Sequence, residues 1–310
     1  MTPAPSIAPG AIPSTTPAGT ARVVVDDVAE FRAMNTDWWI GAPGADRSLL
    51  RRAEAIVHRS EARLSRFLGD SLVSRLNAER RVEDRELAAL VRRALEIGPA
   101  TGGAFDIRVG AAVAAAGYDR SFELLPSVVD DDRLAPPVQM LRVEVDGDAV
   151  SLEGIGAVDL GGIAKGWTID RVAEAFEAAG VASYLVDGGG DIRARGCGPG
   201  GEPWLVGVGD GLAVRLASGA VCTSSTLRRR WTTVGGTAHH IIDPVRALPA
   251  VELITNAVVV APDAATADAL ATAVIASPSI VSVAPSLGAE TFVEREGTWE
   301  MTPGMGGWLA

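Results

Sequence analysis

Three short segments carry side chains whose type and spacing could do chemistry. The first is Asp159-Leu-Gly-Gly-Ile-Ala-Lys-Gly166, which holds the only lysine of the chain; of 28 basic residues the other 27 are arginine. A glycine-rich turn that opens an amphipathic helix presents backbone N–H groups and the positive end of the helix dipole, a setting that favours an anion such as phosphate. Lys165 is therefore a candidate phosphate contact. The second is the pair Asp268 and Thr272, four residues apart on an otherwise Ala/Leu/Val helix, so that a carboxylate and a hydroxyl project from one face. Two hard oxygen donors on such a face suit a magnesium ion that fills its other positions with water or phosphate oxygens. A plainer arrangement fits the same spacing: Thr272 bonds back to the carbonyl of Asp268, and Asp268 faces solvent. The third is His239-His240-Ile-Ile-Asp243-Pro244. Histidine is scarce, three in all, and two together at a strand end, before a proline-fixed turn, point to proton transfer or ligand contact. A polar strand edge is the alternative.

The surrounding pattern supplies the elements that must position these groups. Ile169, Val172, Ala173 and Phe176 form the apolar stripe of a helix that starts at Lys165, Gly180 ends it, and a strand follows over Val181 to Val186. A last helix spans Ala264 to Ala276, and a strand over Ala238 to Ile242 carries the histidines. Upstream, Ala21 to Val25 reads as a strand. Leu49, Leu50, Ala53, Ile56, Val57, Leu64, Phe67 and Leu68 recur at helical spacing, and a second helix covers Glu86 to Ile97. Leu141 to Val145 alternates, Asp146-Gly-Asp turns, and Ala149 to Leu152 returns as a hairpin. Further strands are expected at Trp204 to Val208, Val214 to Leu216, Thr291 to Glu294 and Thr298 to Met301. Hairpins outnumber parallel crossovers, which is α+β rather than a doubly wound sheet. The turns Gly188-Gly-Gly-Asp191 and Gly198 to Gly201 are not followed by the helix that a dinucleotide fingerprint requires, so a Rossmann reading fails on context.

Composition narrows the function classes. With 310 residues, 47% hydrophobic and 22% charged, the chain can bury a substantial core. A net charge of −11 argues against sequence-independent binding to nucleic acid or an anionic membrane, which needs basic patches. The run Arg228-Arg229-Arg230 reads as a solvated or substrate-facing turn. No apolar run approaches the roughly 20 residues that cross a bilayer as a helix. Cys197 and Cys222 lack metal-site or CxxC spacing and read as small buried residues. Residues 1–20 are Pro, Ala, Thr, Ser and Gly without charge, the composition of a disordered arm. They show neither the h-region of a signal peptide nor a lipidation cysteine, so a cytoplasmic location is expected. Residues 21–310 are then expected to form one domain.

Read together and in order, the segments resemble the ApbE family, the FAD:protein FMN transferases. The matching stretches are Phe31-Arg-Ala-Met-Asn-Thr36, Leu64-Ser-Arg-Phe-Leu-Gly-Asp-Ser71 with Ser74-Arg-Leu-Asn77, Gly103-Ala-Phe-Asp106, Asp159 to Gly166, Val186-Asp-Gly-Gly-Gly-Asp191, Cys222-Thr-Ser224, His240-Ile-Ile-Asp-Pro244 and Ala267-Asp-Ala-Leu-Ala-Thr272. The resemblance implies an α+β fold built from two T-fold-like repeats. It also implies an enzyme that uses magnesium to cleave the pyrophosphate of FAD and moves FMN to a threonine or serine of another flavoprotein, releasing AMP. By position it implies FAD contacts at Met34, Phe67, Ala104, Phe105, Asp106, Asp159, Lys165 and Ile242. Magnesium would be held by the Gly162 carbonyl and the side chains of Asp268 and Thr272. The proton of the acceptor hydroxyl would be handled by His240 in preference to His239, with Asp243 or Asp159 as alternatives.

The departures from the family pattern concern the same site. The usual Met-Gly-Thr is Met34-Asn35-Thr36, the Thr-Gly after Asp243-Pro244 is replaced by Val245-Arg-Ala247, and position 271, commonly a small hydroxyl residue, is alanine. No Asp-Gly-x-Thr-Gly-Ala-Thr-like segment is present, so the acceptor is expected to be a separate protein. An FAD pyrophosphatase and a noncatalytic FAD-binding protein are the alternative functions.

Overall fold

The computed structural model describes residues 28–129, 134–209 and 211–310; the expected arm over residues 1–20 and strand over residues 21–25 lie outside them. Eight strands form one sheet in the order Val28–Ala33, Thr36–Gly41, Tyr184–Gly188, Ile192–Arg195, Ser218–Ser225, Ile254–Ala261, Glu290–Arg295 and Thr298–Met301. Every neighbouring pair is antiparallel. The architecture is α+β, as the hairpin count predicts.

Two adjacent inner strands, Ser218–Ser225 and Ile254–Ala261 (the centre strands), carry buried residues on both faces. Ala220, Cys222, Ala257, Val259 and Ala261 join the main core beneath the helices, whereas Val221, Val258 and Val260 join a second core on the opposite face. That second core is closed by the hairpin Trp204–Gly209 and Leu212–Leu216, together with Trp39, Trp299 and Trp308. Double burial explains why Ala257 to Ala261 reads as a continuous apolar run without alternation, so neither centre strand stands out in the sequence.

The helical layer is built from α1 (Arg47–Leu64), α2 (Leu72–Glu79), α3 (Arg85–Ala100), the short α4 (Gly110–Ala115), α5 (Ala164–Ala178) and α6 (Ala264–Ala276). The Asp46 carboxylate caps α1 by accepting from Ser48 N at 2.7 Å and Leu49 N at 2.9 Å. Helix α1 stops at Ser65, short of the expected apolar stripe, so Phe67 and Leu68 lie in the turn that follows. That exit releases the Phe67 ring from the core and turns it toward Tyr118, 5.3 Å away.

Helix α6 is apolar all round and buried along almost its whole length, the expected state of a helix that packs on two sides. Its N-terminus is capped twice. Asp263 accepts from Thr266 N at 2.8 Å, and Asp170 of α5 accepts from Ala264 N and Ala265 N, each at 2.9 Å. Asp170 is itself held by Arg193 at 2.7 Å. The two helices cross where Gly166 meets Ala264; a Cβ on Gly166 would lie 2.1 Å from the Ala264 carbonyl oxygen. Only glycine allows that approach.

A small sheet of Arg81–Glu83, Ala149–Gly154 and Leu141–Asp146 stands beside this layer and launches the segment into α5. Asn77 fixes that segment with both ends of its amide: Nδ2 donates to Val158 O at 2.9 Å and Oδ1 accepts from Val158 N at 2.8 Å. Asp159 N then donates to Ile107 O at 2.8 Å, so Asp159 to Gly162 arrive at one defined place. Two expected boundaries move. The strand after α5 begins at Tyr184 rather than Val181, and the span from Ala238 to Ile242 is split into Gly236–His239 and Ile242–Asp243. The break falls at His240 and Ile241, which turns His240 out of the ladder.

Candidate functional site

The start of α5, the middle of α6 and the end of the strand Ser218–Ser225 converge on a cavity of about 600 Å³. Its floor is ionic. The Lys165 ammonium pairs with Asp191, whose other carboxylate oxygen accepts from Thr223 N at 3.0 Å. Asp268 is only 4% exposed, which rules out the solvent-facing arrangement. Its Oδ2 accepts from Gly166 N at 3.0 Å, so the carboxylate of α6 is tied to the first turn of α5. Beside it, Thr272 Oγ1 stands 3.0 Å from where a Cβ on Gly162 would lie. Gly162, Lys165, Asp268 and Thr272 thus line one part of the cavity.

Burial governs the charges here. It pushes the Asp268 carboxyl up against the opposing pull of Lys165, and pushes the Lys165 ammonium down against the opposing pull of Asp268. In each group burial outweighs the opposite charge of the other. Asp187, whose Oδ1 accepts from Gly190 N at 2.8 Å, is also raised by burial. So is Cys222, whose buried thiol lies against Ala264 O at 3.5 Å and is far from forming a thiolate. Cys222 is buried as expected, but Cys197 is exposed, in an isolated antiparallel bridge with Pro203, and both thiols are free.

One wall is aromatic and cationic. The Arg66 guanidinium lies 4.2 Å from the Phe67 ring centre and 4.9 Å from that of Tyr118. It is anchored by Asp159 at 2.7 Å and by the Tyr118 carbonyl at 2.6 Å. Asp159 also accepts from Gly161 N at 2.6 Å, which shapes the turn into α5. Asp106 reaches the cavity with its carboxylate already gripped by Arg108, Nη2 to Oδ2 being 2.6 Å. Ala104 and Phe105 line the same side, where Thr101 Oγ1 accepts from Phe105 N at 3.1 Å.

The rim above is the two-residue turn Met34-Asn35, which joins Val28–Ala33 to Thr36–Gly41. Its φ values of 50° and 61° are both left-handed, the conformation that a tight hairpin demands. Asparagine in place of the usual glycine is thus the substitution this backbone best accepts. Met34 N donates to Glu61 Oε1 at 2.7 Å, which ties the turn to α1.

The two histidines part company. His239 is buried, with Nε2 donating to Ala250 O at 3.0 Å and Nδ1 accepting from Ile241 N at 3.3 Å, so both nitrogens are committed to the backbone. His240 lines the cavity beside Ile242; its ring is bonded to the Arg229 backbone and its Nδ1 has no partner. Burial and the neighbouring Arg229 charge push its pKa down to about 3, so the ring is neutral at physiological pH. Asp243 does not share the site. Its Oδ1 accepts from Val245 N at 2.9 Å and holds the turn that follows, and the residue lines a second depression that shares Ala104 and Pro244 with the first. A carboxylate spent on its own turn is ill placed to exchange protons in the main cavity.

The structure therefore brings together Met34, Phe67, Ala104, Phe105, Asp106, Asp159, Gly162, Lys165, His240, Ile242, Asp268 and Thr272, and leaves Asp243 out. Arg66, Tyr118, Arg228 and Arg229 also line the cavity. No short-range pattern marks Tyr118, whereas Arg66 sits inside the Leu64 to Ser71 segment and could have been flagged there.

A model of the ApbE family matches residues 34–283. Among curated proteins, an FAD:protein FMN transferase of Treponema pallidum is 34% identical over 265 residues, covering 74% of this chain and 72% of that one. One from Salmonella typhimurium is 28% identical over 279 residues, covering 83% and 79%. Among solved structures, the ApbE protein of Thermotoga maritima superposes with a TM-score of 0.80 at 26% identity, covering 91% of this chain and 98% of that one.

Proposed function

The chain belongs to the ApbE family, and from that premise we propose that it is an FAD:protein FMN transferase. It would cleave the pyrophosphate of FAD, join FMN through a phosphoester to a threonine or serine of a separate flavoprotein, and release AMP. The observation that carries this reading is that Gly162, Lys165, Thr272 and the buried Asp268 line one cavity with the Phe67 and Tyr118 rings. That cavity is sized for a cofactor-like ligand.

Magnesium fits the donors present. A carboxylate that burial has left short of compensation, a hydroxyl and a neighbouring glycine backbone are hard oxygen ligands, and among the described residues no cluster of three or more His, Cys, Asp or Glu competes for a metal. Gly162, Asp268 and Thr272 would hold it, and the ion would supply Lewis-acid polarisation of phosphoryl oxygens. Lys165 places a further positive charge against the pyrophosphate, where negative charge grows as AMP leaves. Phe67 offers an aromatic face to the flavin rings, while Met34, Ala104, Phe105, Asp106, Asp159 and Ile242 form the remaining contacts.

The acceptor oxygen forms its bond to the FMN phosphorus as the bond from that phosphorus to the AMP oxygen breaks. His240 Nδ1, buried and unpartnered, takes the hydroxyl proton. In the empty site it is a weak base; the negative charge of a bound pyrophosphate raises its affinity for that proton. Among the described residues no helix is long and apolar enough to cross a membrane, and the acceptor is proposed to lie in the cytoplasm.

Incubation of the protein with FAD, magnesium and a threonine-bearing acceptor flavoprotein tests the reading. Covalent FMN on the acceptor, seen as a mass shift, together with AMP is expected. Free FMN with AMP would make the protein an FAD pyrophosphatase, and retained FAD without turnover would make it a binding protein.

A further inference from the structure

Five cationic side chains line the cavity, and three of them are neutralised. Arg32 pairs with Glu123 at 3.2 Å, Arg66 with Asp159 at 2.7 Å and Lys165 with Asp191. Arg228 and Arg229 have no ion-pair partner among the described residues, in a chain whose net charge is −11. Unpaired guanidinium groups facing a cavity in an acidic protein need a reason.

Their setting shows where they point. Both sit on the turn that leaves Ser218–Ser225 and enters the strand Arg230–Thr233. Arg230 turns outward and pairs with Glu252 at 3.2 Å, whereas Trp231 after it is buried and the half-buried Arg229 before it lines the cavity. Trp231 packs against Tyr118 at 5.4 Å and donates from Nε1 to Ala116 O at 3.0 Å, which anchors the turn. The Arg229 charge is felt at Lys165, Asp268, His240 and Tyr118 alike, all of which line the cavity. Arg228 stands further out, with Nη1 3.7 Å from where a Cβ on Gly190 would lie.

We propose that Arg229 is a phosphate-binding residue of this cavity, contacting the pyrophosphate of the flavin nucleotide from the side opposite the floor formed by Lys165 and Asp268, with Arg228 extending the same positive edge toward the mouth. The inference rests on the flavin-transferase reading. A guanidinium is the group suited to this task, because its planar fork gives two parallel donors to a phosphate without losing its charge on burial.

Equilibrium binding of FAD and of riboflavin, followed by flavin fluorescence in the presence of magnesium, tests it on wild type, Arg229→Met and Arg229→Lys. For Arg229→Met we expect FAD affinity to fall about tenfold or more, riboflavin affinity to stay within twofold and the thermal midpoint to be unchanged. Arg229→Lys should recover part of the loss. FAD affinity of Arg229→Met within twofold of wild type, or an equal loss for riboflavin, overturns the assignment while leaving the function intact. Failure of wild type to bind FAD overturns the function and the assignment with it.

Discussion

The floor of the cavity and its rim are built on opposite plans. The floor places Lys165, Asp268 and Thr272 on two helices locked together at Gly166, with Gly162 in the turn that enters the first of them and every carboxylate contacted by a backbone N–H or a cation. The rim consists of the turns Met34-Asn35 and Arg228-Arg229, bordered outside the cavity lining by the turn over Asp243 to Ala247; Met34, Asn35 and Ala247 are left-handed without being glycine. Groups that must be held to a fraction of an ångström stand on rigid elements, whereas groups that meet a variable partner stand on loops. The difference teaches which substitutions trade activity for stability and which touch only one of them.

The largest effect is expected at Asp268. Asp268→Asn keeps an acceptor for Gly166 N but removes the charge, so AMP release from FAD should fall about a thousandfold. Because burial raises the Asp268 carboxyl, neutralising it removes a desolvation cost, and the thermal midpoint should hold or rise. A stable but inactive variant confirms the plan of the floor; an active one would break it. Gly166→Ala probes the lock itself. Its Cβ would collide with the Ala264 carbonyl, so chemical denaturation should show a loss of about 3 kcal/mol with activity lost in parallel.

His240 tests the boundary between the two regions through pH. Its folded pKa of about 3 lies below that of an unfolded histidine, so the unfolded chain takes up a proton that the folded chain refuses. The stability it contributes is complete above the unfolded value of about 6.5 and is lost as pH falls toward 3. Replacement by Gln should flatten the acid side of the stability curve between pH 6.5 and 4, by at most about 1.4 kcal/mol per pH unit. The carboxyls raised by burial, Asp170, Asp187 and Asp268, act in the opposite sense in both proteins and cancel in the difference. A curve that does not change would place Nδ1 in contact with water. The smallest effect is expected on the rim. Ala247 has φ 53°, so Ala247→Gly should stabilise the protein by about 0.5 kcal/mol, strain relief offset by glycine's extra freedom when unfolded, without altering FAD binding.

The same division decides what the sequence discloses. The floor is legible because its logic is local: a lysine in the first turn of a helix and an i, i+4 pair on another are visible as spacing. Burial of Asp268, the one feature that spacing leaves open, comes from packing of α6 between sheet and α5. The rim is not legible in the same way. Asp243 stands next to a histidine pair in sequence, yet its carboxylate closes its own turn. Phe67 fits a helical stripe, yet α1 ends before it. Tyr118 packs against Trp231, which donates to Ala116 O, contacts made across more than a hundred residues of sequence. The centre strand Ser218–Ser225, rich in serine and glycine, carries no strand signal of its own and owes its existence to the two neighbours that bracket it.

The single lysine acquires a meaning from its surroundings. In a composition that otherwise supplies its cations as arginine, the exception falls in the first turn of a helix, where a compact ammonium pairs with Asp191. It also falls where burial loosens the proton. An amine can be charged or discharged by its neighbours; a guanidinium cannot. The strength of the positive charge beneath the cavity is thus adjustable by whatever anion occupies it, a property that none of the other 27 basic residues could provide.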